Sequence, residues 1–121
     1  MKNKIQYNGF KEVSLHHLRV KVIFFDLSEL KGVPHGGYGY TCILGDEKED
    51  GSIDIGVFYK DIKRITKKLE CAPLVGHELV HVLQILCEER KMKAETEQEH
   101  LAYIFGYLFE QLIAPKDKEQ R

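Results

Sequence analysis

The sequence lacks the marks of secreted, disulfide-rich and membrane proteins. Its three cysteines, Cys42, Cys71 and Cys87, are odd in number and widely spaced, which excludes a disulfide framework. No run approaches the roughly 20 apolar residues of a membrane span. The basic residues at the start are not followed by the apolar segment of a secretory signal. We therefore expect a cytoplasmic protein with no membrane partner.

Neither sign of charge is in excess, and no part of the sequence resembles a linker. The 18 Lys and Arg against 19 Asp and Glu give a net charge of -1, so no global attraction to nucleic acid is expected. The chain also lacks internal repeats, low-complexity tracts and segments rich in Pro or Ser. Its 121 residues, 43% of them hydrophobic, therefore predict a single domain over residues 1–121 with one modest core.

The pattern of apolar residues changes near residue 60. Before it, three short runs typical of strands occupy residues 18–25, 38–44 and 52–59, with a Gly- and Asp-rich turn at 45–52 that predicts a hairpin. After it, helical periodicity covers residues 60–69, 73–90 and 94–113. The fold class predicted is α+β: a small three- to four-stranded sheet followed by a helix carrying the candidate site and a C-terminal helix.

Residues 75–84 read VGHELVHVLQ and hold two histidines four residues apart. An α-helix turns about 100° per residue, so His77, His81 and Gln84 share one face, opposite the apolar residues Val75, Leu79, Val82, Leu83 and Leu86. A core helix that merely carried two imidazoles would place them in or beside the apolar stripe. The separation of the two faces favours a metal site.

The chemistry of zinc suits this arrangement. Imidazoles one helical turn apart can both reach one Zn²⁺ ion at about 2.0–2.1 Å. Glu78, beside His77, is then the candidate general base that removes a proton from water. The sequence thus predicts one Zn²⁺ per chain, and a third protein ligand is needed.

Three side chains are candidates for the third ligand. Cys87 stands where the long zincin pattern has its last histidine, but it projects away from the histidine face. Glu95 and Glu99 share a face of the last predicted helix with Tyr103, away from its apolar stripe. Tyr103, one turn after Glu99, is a candidate donor to the oxyanion of peptide hydrolysis, with a purely structural role as the alternative.

The stretch VGHELVH, followed by Glu99-His100-Leu101-Ala102, resembles the gluzincin type of zincin metallopeptidase. It is similar, more narrowly, to small metallopeptidase-like proteins encoded by phages and prophages, whose second helix is matched here at Glu99, Ala102, Tyr103, Gly106, Tyr107 and Leu108. The resemblance covers residues 72–112. It implies a zinc-dependent peptidase with His77, His81 and Glu99 as metal ligands and Glu78 as the base. The small residues Ala102 and Gly106 are expected to let the two helices approach closely.

The resemblance also implies a partner. Zincins of this kind bind an extended protein or peptide substrate along the edge strand that precedes the site helix, and residues 52–59 hold that place in the chain. The alternatives are a binding or regulatory protein of the same fold with structural or vestigial zinc, and a helical scaffold without metal. The oligomeric state stays open. The other histidines, His16, His17, His35 and His100, are expected to be surface or loop residues.

Overall fold

The computed structural model describes residues 10–29 and 39–113 of the protein. These contain four strands and three α-helices, which confirms the α+β class. The strands are Lys11–Leu15 (β1), Val20–Asp26 (β2), Gly39–Leu44 (β3) and Ile53–Tyr59 (β4). The helices are Ile62–Ile65 (α1), Ala72–Glu89 (α2) and Gln98–Ile113 (α3). In this described part of the chain, no helix is both long enough and apolar enough to cross a membrane.

The strands form one sheet in the order β1-β2-β4-β3. The predicted hairpin of β3 and β4 is confirmed, because these strands pair antiparallel with Thr41 opposite Val57. The prediction that residues 52–59 form an edge strand is wrong: β4 lies inside the sheet, parallel to β2. The chain leaves β2, forms β3 at the edge and returns between the two. The alternation of apolar residues in the sequence did not indicate that β4 is central. In the structure, six of its seven residues are buried, which is typical of a central strand.

Both faces of the central strands are covered. Side chains such as Val22, Phe24, Ile55 and Val57 pack against a helical layer, to which α2 and α3 contribute Val75, Leu79, Val82, Leu86, Ile104 and Leu108. Ile23, Phe25, Leu27 and Phe58 form a second buried cluster that includes the alternate residues of β2. Such two-sided burial explains why these strands are apolar with little alternation.

The boundaries of three elements differ from the sequence prediction. Helix α3 begins at Gln98 rather than near residue 94, because the preceding residues form turns in which the amides of Thr96 and Glu97 both bond to the Lys93 carbonyl. Helix α1 is reduced to four residues, preceded by Asp61 in the left-handed region. Strand β1 was not predicted, since only Val13 and Leu15 of its five residues are apolar and buried.

Polar contacts near both ends of helix α2 hold it against the sheet. The buried Tyr59 hydroxyl donates a hydrogen bond of 2.6 Å to the Val75 carbonyl. Just beyond the other end, the Arg90 guanidinium donates hydrogen bonds to carbonyls in the β1–β2 and β3–β4 connections, those of Leu18, Arg19 and Gly51. The position of the helix, and of the histidines on it, is therefore determined by contacts with β4, with the β1–β2 connection and with the β3–β4 connection.

Candidate functional site

Helix α2 brings the first three predicted site residues together. The His77 and His81 rings lie edge to face with centroids 5.0 Å apart. The His77 side chain is 65% exposed, whereas Glu78 is only 5% exposed. A Glu78 carboxylate oxygen lies 3.9 Å from His77 Nε2. The site thus combines two accessible imidazoles with one buried acid.

Strand β3 holds the Glu78 carboxylate. The Thr41 hydroxyl donates a hydrogen bond of 2.6 Å to Glu78 Oε1 and lies 3.4 Å from the backbone carbonyl of the same residue. A buried carboxylate is costly unless it accepts hydrogen bonds, so this contact fixes both its position and its rotamer. The other oxygen, Oε2, is directed toward His77.

Gly39, the first residue of β3, lies directly against the Glu78 side chain. A Cβ atom at this position would lie 2.7 Å from Glu78 Oε2 and 2.8 Å from its Cγ. Only glycine allows the strand to approach so closely. Sequence reasoning missed both Gly39 and Thr41, since nothing in the local pattern shows that this strand covers a helix that follows much later.

The Glu78 charge also affects the tyrosine beneath it. Burial raises the pKa of the Tyr59 phenol, and the nearby negative charge of Glu78 raises it further. Tyr59 therefore stays protonated and continues to donate its hydrogen bond to the Val75 carbonyl. The result is a helix turn anchored directly before His77.

His81 is oriented by a neighbour on its own helix. Its Nδ1 atom lies 2.8 Å from Oε1 of Gln84, which shares the histidine face as projected. Because an amide oxygen only accepts hydrogen bonds, a neutral ring that makes this contact has its proton on Nδ1 and its lone pair on Nε2. Histidines that bind metals usually donate their other N–H to an oxygen in this way.

The third predicted ligand does not join this pair. In residues 10–29 and 39–113, no three His, Cys, Asp or Glu side chains form a group that could hold a metal ion. Glu99 is exposed in the first turn of α3, where its charge suits the helix dipole, and Glu95 is exposed in the preceding turn. Their roles stay predictions. Cys87 packs against the core, in agreement with its projection away from the histidines.

The structure places Tyr103 apart from the histidines of α2. It is 78% exposed and lines a cleft with His17 and His100, and His77, Glu78 and His81 are not part of that lining. Its predicted role as an oxyanion donor gains no support. The expectation for Gly106 is wrong, because a Cβ there would meet nothing within 4 Å.

On α2, Gly76 faces helix α3. A Cβ at Gly76 would lie 3.4 Å from Cζ of Phe105, which is ordinary van der Waals contact. The neighbouring α3 residue Ala102, the second small residue of the sequence prediction, is exposed. Of the two helix glycines, Gly76 and Gly106, the one that faces the other helix is therefore on the site helix, next to His77.

No protein-family model matches the sequence, and neither a curated protein nor a solved structure matches the chain. The gluzincin resemblance is thus a similarity of two short motifs. The evidence for function is the chemistry of the α2 site.

Proposed function

We propose that the protein is a zinc-dependent peptidase whose general base is Glu78. The observation that supports this proposal best is the buried Glu78 carboxylate, fixed by Thr41 beside the accessible His77. Stability alone gives little reason to keep an acid in this position, because burial of a carboxylate costs free energy that one hydroxyl only partly offsets. A catalytic role explains why it is there.

The donor atoms fit zinc in type and, for two ligands, in arrangement. His77 and His81 would hold the ion, His81 through the Nε2 atom that its bond to Gln84 leaves free. Glu99 is the third ligand of the proposal on the strength of the motif resemblance alone. When bound, zinc supplies Lewis-acid chemistry that polarises a carbonyl and lowers the pKa of water.

Glu78 carries out the proton transfers of the proposed reaction. Thr41 occupies Oε1, so Oε2 is the atom that accepts a proton as the water oxygen attacks the scissile carbonyl carbon. The same oxygen returns that proton to the amine nitrogen as the C–N bond breaks. Burial of the carboxylate under Gly39 keeps this atom in place during both transfers.

The substrate of the proposal is an extended peptide. Among the strands in residues 10–29 and 39–113, β3 is at an edge of the sheet, directly beside Glu78. Main-chain pairing along such an edge binds peptides with little sequence preference. The proposed peptide-binding edge is therefore β3 instead of residues 52–59, the strand expected from the sequence.

The decisive variant is Glu78→Gln, which keeps the size of the side chain and removes its basicity. We expect wild type to contain about one zinc per chain and to cleave an unstructured peptide library, and Glu78→Gln to keep the zinc and lose at least about 100-fold in kcat. Glu88→Gln, an exposed acid farther along the same helix, is the matched control and should retain activity. Undiminished hydrolysis by Glu78→Gln would remove Glu78 from the base role.

Zinc analysis of His81→Ala, Glu99→Ala and Glu95→Ala tests the ligand set. Loss of zinc from the first two variants, with retention in Glu95→Ala, is the expected result. If Glu99→Ala keeps its zinc and Glu95→Ala loses it, Glu95 rather than Glu99 is the third ligand. If both variants keep their zinc, neither glutamate is a ligand.

A second function is favoured by one specific observation. The described residues assemble two metal donors rather than three, which suits a zincin-fold binding or regulatory protein that does not turn over substrate. A partner protein bound equally by wild type and Glu78→Gln, and left uncleaved by both, would support this function. Cleavage by wild type alone would exclude it.

A further inference from the structure

A second group of histidines meets where the turn after β1 touches the start of α3. His17 lies in the 3-10 turn His16–Leu18, and His100 lies in the first turn of α3. Their Nε2 atoms are 3.0 Å apart, and their ring centroids are separated by 5.1 Å. No local pattern indicates this pairing, since 83 positions of sequence separate the two residues.

Glu97 orients one of the two rings. Its Oε1 atom lies 3.2 Å from His100 Nδ1. A carboxylate at this distance accepts a hydrogen bond from Nδ1–H, and a neutral His100 ring that makes this bond presents the lone pair of Nε2 toward His17. Without a metal, the Nε2–H group of His17 can donate a hydrogen bond to that lone pair. If His17 carries its proton on Nδ1 instead, both Nε2 lone pairs face the gap between the rings.

The distance between the two Nε2 atoms suits two ligands of one metal ion. Nitrogens about 2.0–2.1 Å from a common ion lie about 2.9 Å apart at a right angle and about 3.3 Å apart at the tetrahedral angle. The observed 3.0 Å is closer to the right angle. Adjacent positions at right angles are typical of Ni²⁺ and Cu²⁺ with nitrogen and oxygen ligands.

We propose that His17 and His100 form a second metal site, which takes a divalent ion of the nickel or copper type through both Nε2 atoms. Glu97 is the positioning residue, since it holds the His100 ring by its other nitrogen. The pair borders an open cleft of about 560 Å³, so water can complete the coordination. In the metal-bound form, each neutral ring carries its proton on Nδ1 and presents its Nε2 lone pair to the ion.

The second site is separate from the one on α2. The cleft is lined by β1, the following turn and α3, and its lining includes neither His77 nor His81. A metal ion there would link two segments that are distant in sequence, and so stabilise the folded state. The proposal does not depend on peptidase activity.

Binding of Ni²⁺ to untagged protein tests the second site, preferably in the His77→Ala/His81→Ala background, which removes the α2 donors. Ni²⁺ is preferred to Cu²⁺ because the chain has three free cysteines. Titration calorimetry should show one Ni²⁺ per chain, and Ni²⁺ should raise the melting temperature. Adding His17→Ala should weaken binding at least tenfold and abolish the thermal shift. Adding Glu97→Gln should weaken it about 10–100-fold.

His16→Ala is the matched control, because His16 lines the same cleft beside the pair. It should bind Ni²⁺ as the background protein does. If circular dichroism shows that His17→Ala disturbs the fold, His17→Gln replaces it in the same titration. No Ni²⁺ binding in the background protein, equal binding after loss of His17, or equal weakening by His16→Ala would each overturn the proposal. None of these results would bear on Glu78.

Discussion

At the scale of single residues, Thr41 is the residue whose role is clearest from its contacts. It makes the side-chain hydrogen bond to the buried Glu78 carboxylate, across 37 positions of sequence. A threonine on a strand would ordinarily be ascribed to β propensity. Under the proposed function, its hydroxyl determines which carboxylate oxygen of Glu78 is left to act as the base.

Replacing Thr41 by valine should therefore reduce both stability and turnover. Thr41→Val keeps the shape and leaves Glu78 Oε1 without this donor, which should lower the free energy of unfolding by about 1–3 kcal/mol. Under the proposed function, kcat should fall with little change in KM. Urea denaturation and peptide kinetics measure the two effects.

Thr41→Ser retains the hydroxyl and is the control for this change. It should recover most of the stability and turnover lost in Thr41→Val. A valine variant that equals wild type, with the loss in the serine variant instead, would show that the methyl group, rather than the hydrogen bond, is what matters at this position.

At the scale of elements, the approach of β3 to α2 shapes the site. Gly39 lets the strand backbone lie against the Glu78 carboxylate, whereas Gly106 on α3 has open space around it. An added methyl group should therefore have opposite effects on the free energy of unfolding at these two positions.

Gly39→Ala should lower the free energy of unfolding by about 1–3 kcal/mol, because its Cβ overlaps a pinned side chain. Gly106→Ala should raise it by about 0.5–1 kcal/mol, because alanine is the better helix residue and meets no neighbour. Denaturant melts of both variants compare the signs directly. If Gly39→Ala left the free energy of unfolding unchanged, the Glu78 side chain would be able to move aside without cost.

At the scale of the whole molecule, Asp26 joins the end of β2 to the start of α1. Burial would raise the pKa of this carboxyl, but hydrogen bonds from the Ser28 hydroxyl and amide, and from the amides of Asp61 and Ile62, lower it on balance. The ionised form is thus favoured by folding. Above the ordinary pKa of about 3.9, this contribution to stability is fully present.

The Asp26 contribution should be lost as pH falls below about 4 and through the lowered folded-state pKa. Asp26→Asn keeps an acceptor oxygen and removes the titration, so its free energy of unfolding should change less steeply with pH over that range. Ser28→Ala, which removes one donor, should give an intermediate slope. Urea melts at a series of acidic pH values measure these slopes, and an unchanged slope in Asp26→Asn would contradict the assignment.

Several features of this fold were predictable because they are local. Helix α2 was predicted within one residue at each end, since its period and Pro73 are encoded in consecutive residues. The shared face of His77, His81 and Gln84 follows from helix geometry alone. The β3–β4 hairpin follows from the turn between them, where Gly45 and Gly51 adopt positive φ.

The sequence by itself determined the class of the fold, the site helix and the histidine pair on it, because periodicity and turn chemistry act between near neighbours. Only the tertiary structure decided that β4 is central, that Thr41 and Gly39 enclose Glu78, and that His17 meets His100. These are contacts between residues far apart in the chain. They depend on which strands pair and which helix faces pack, and no local pattern encodes that.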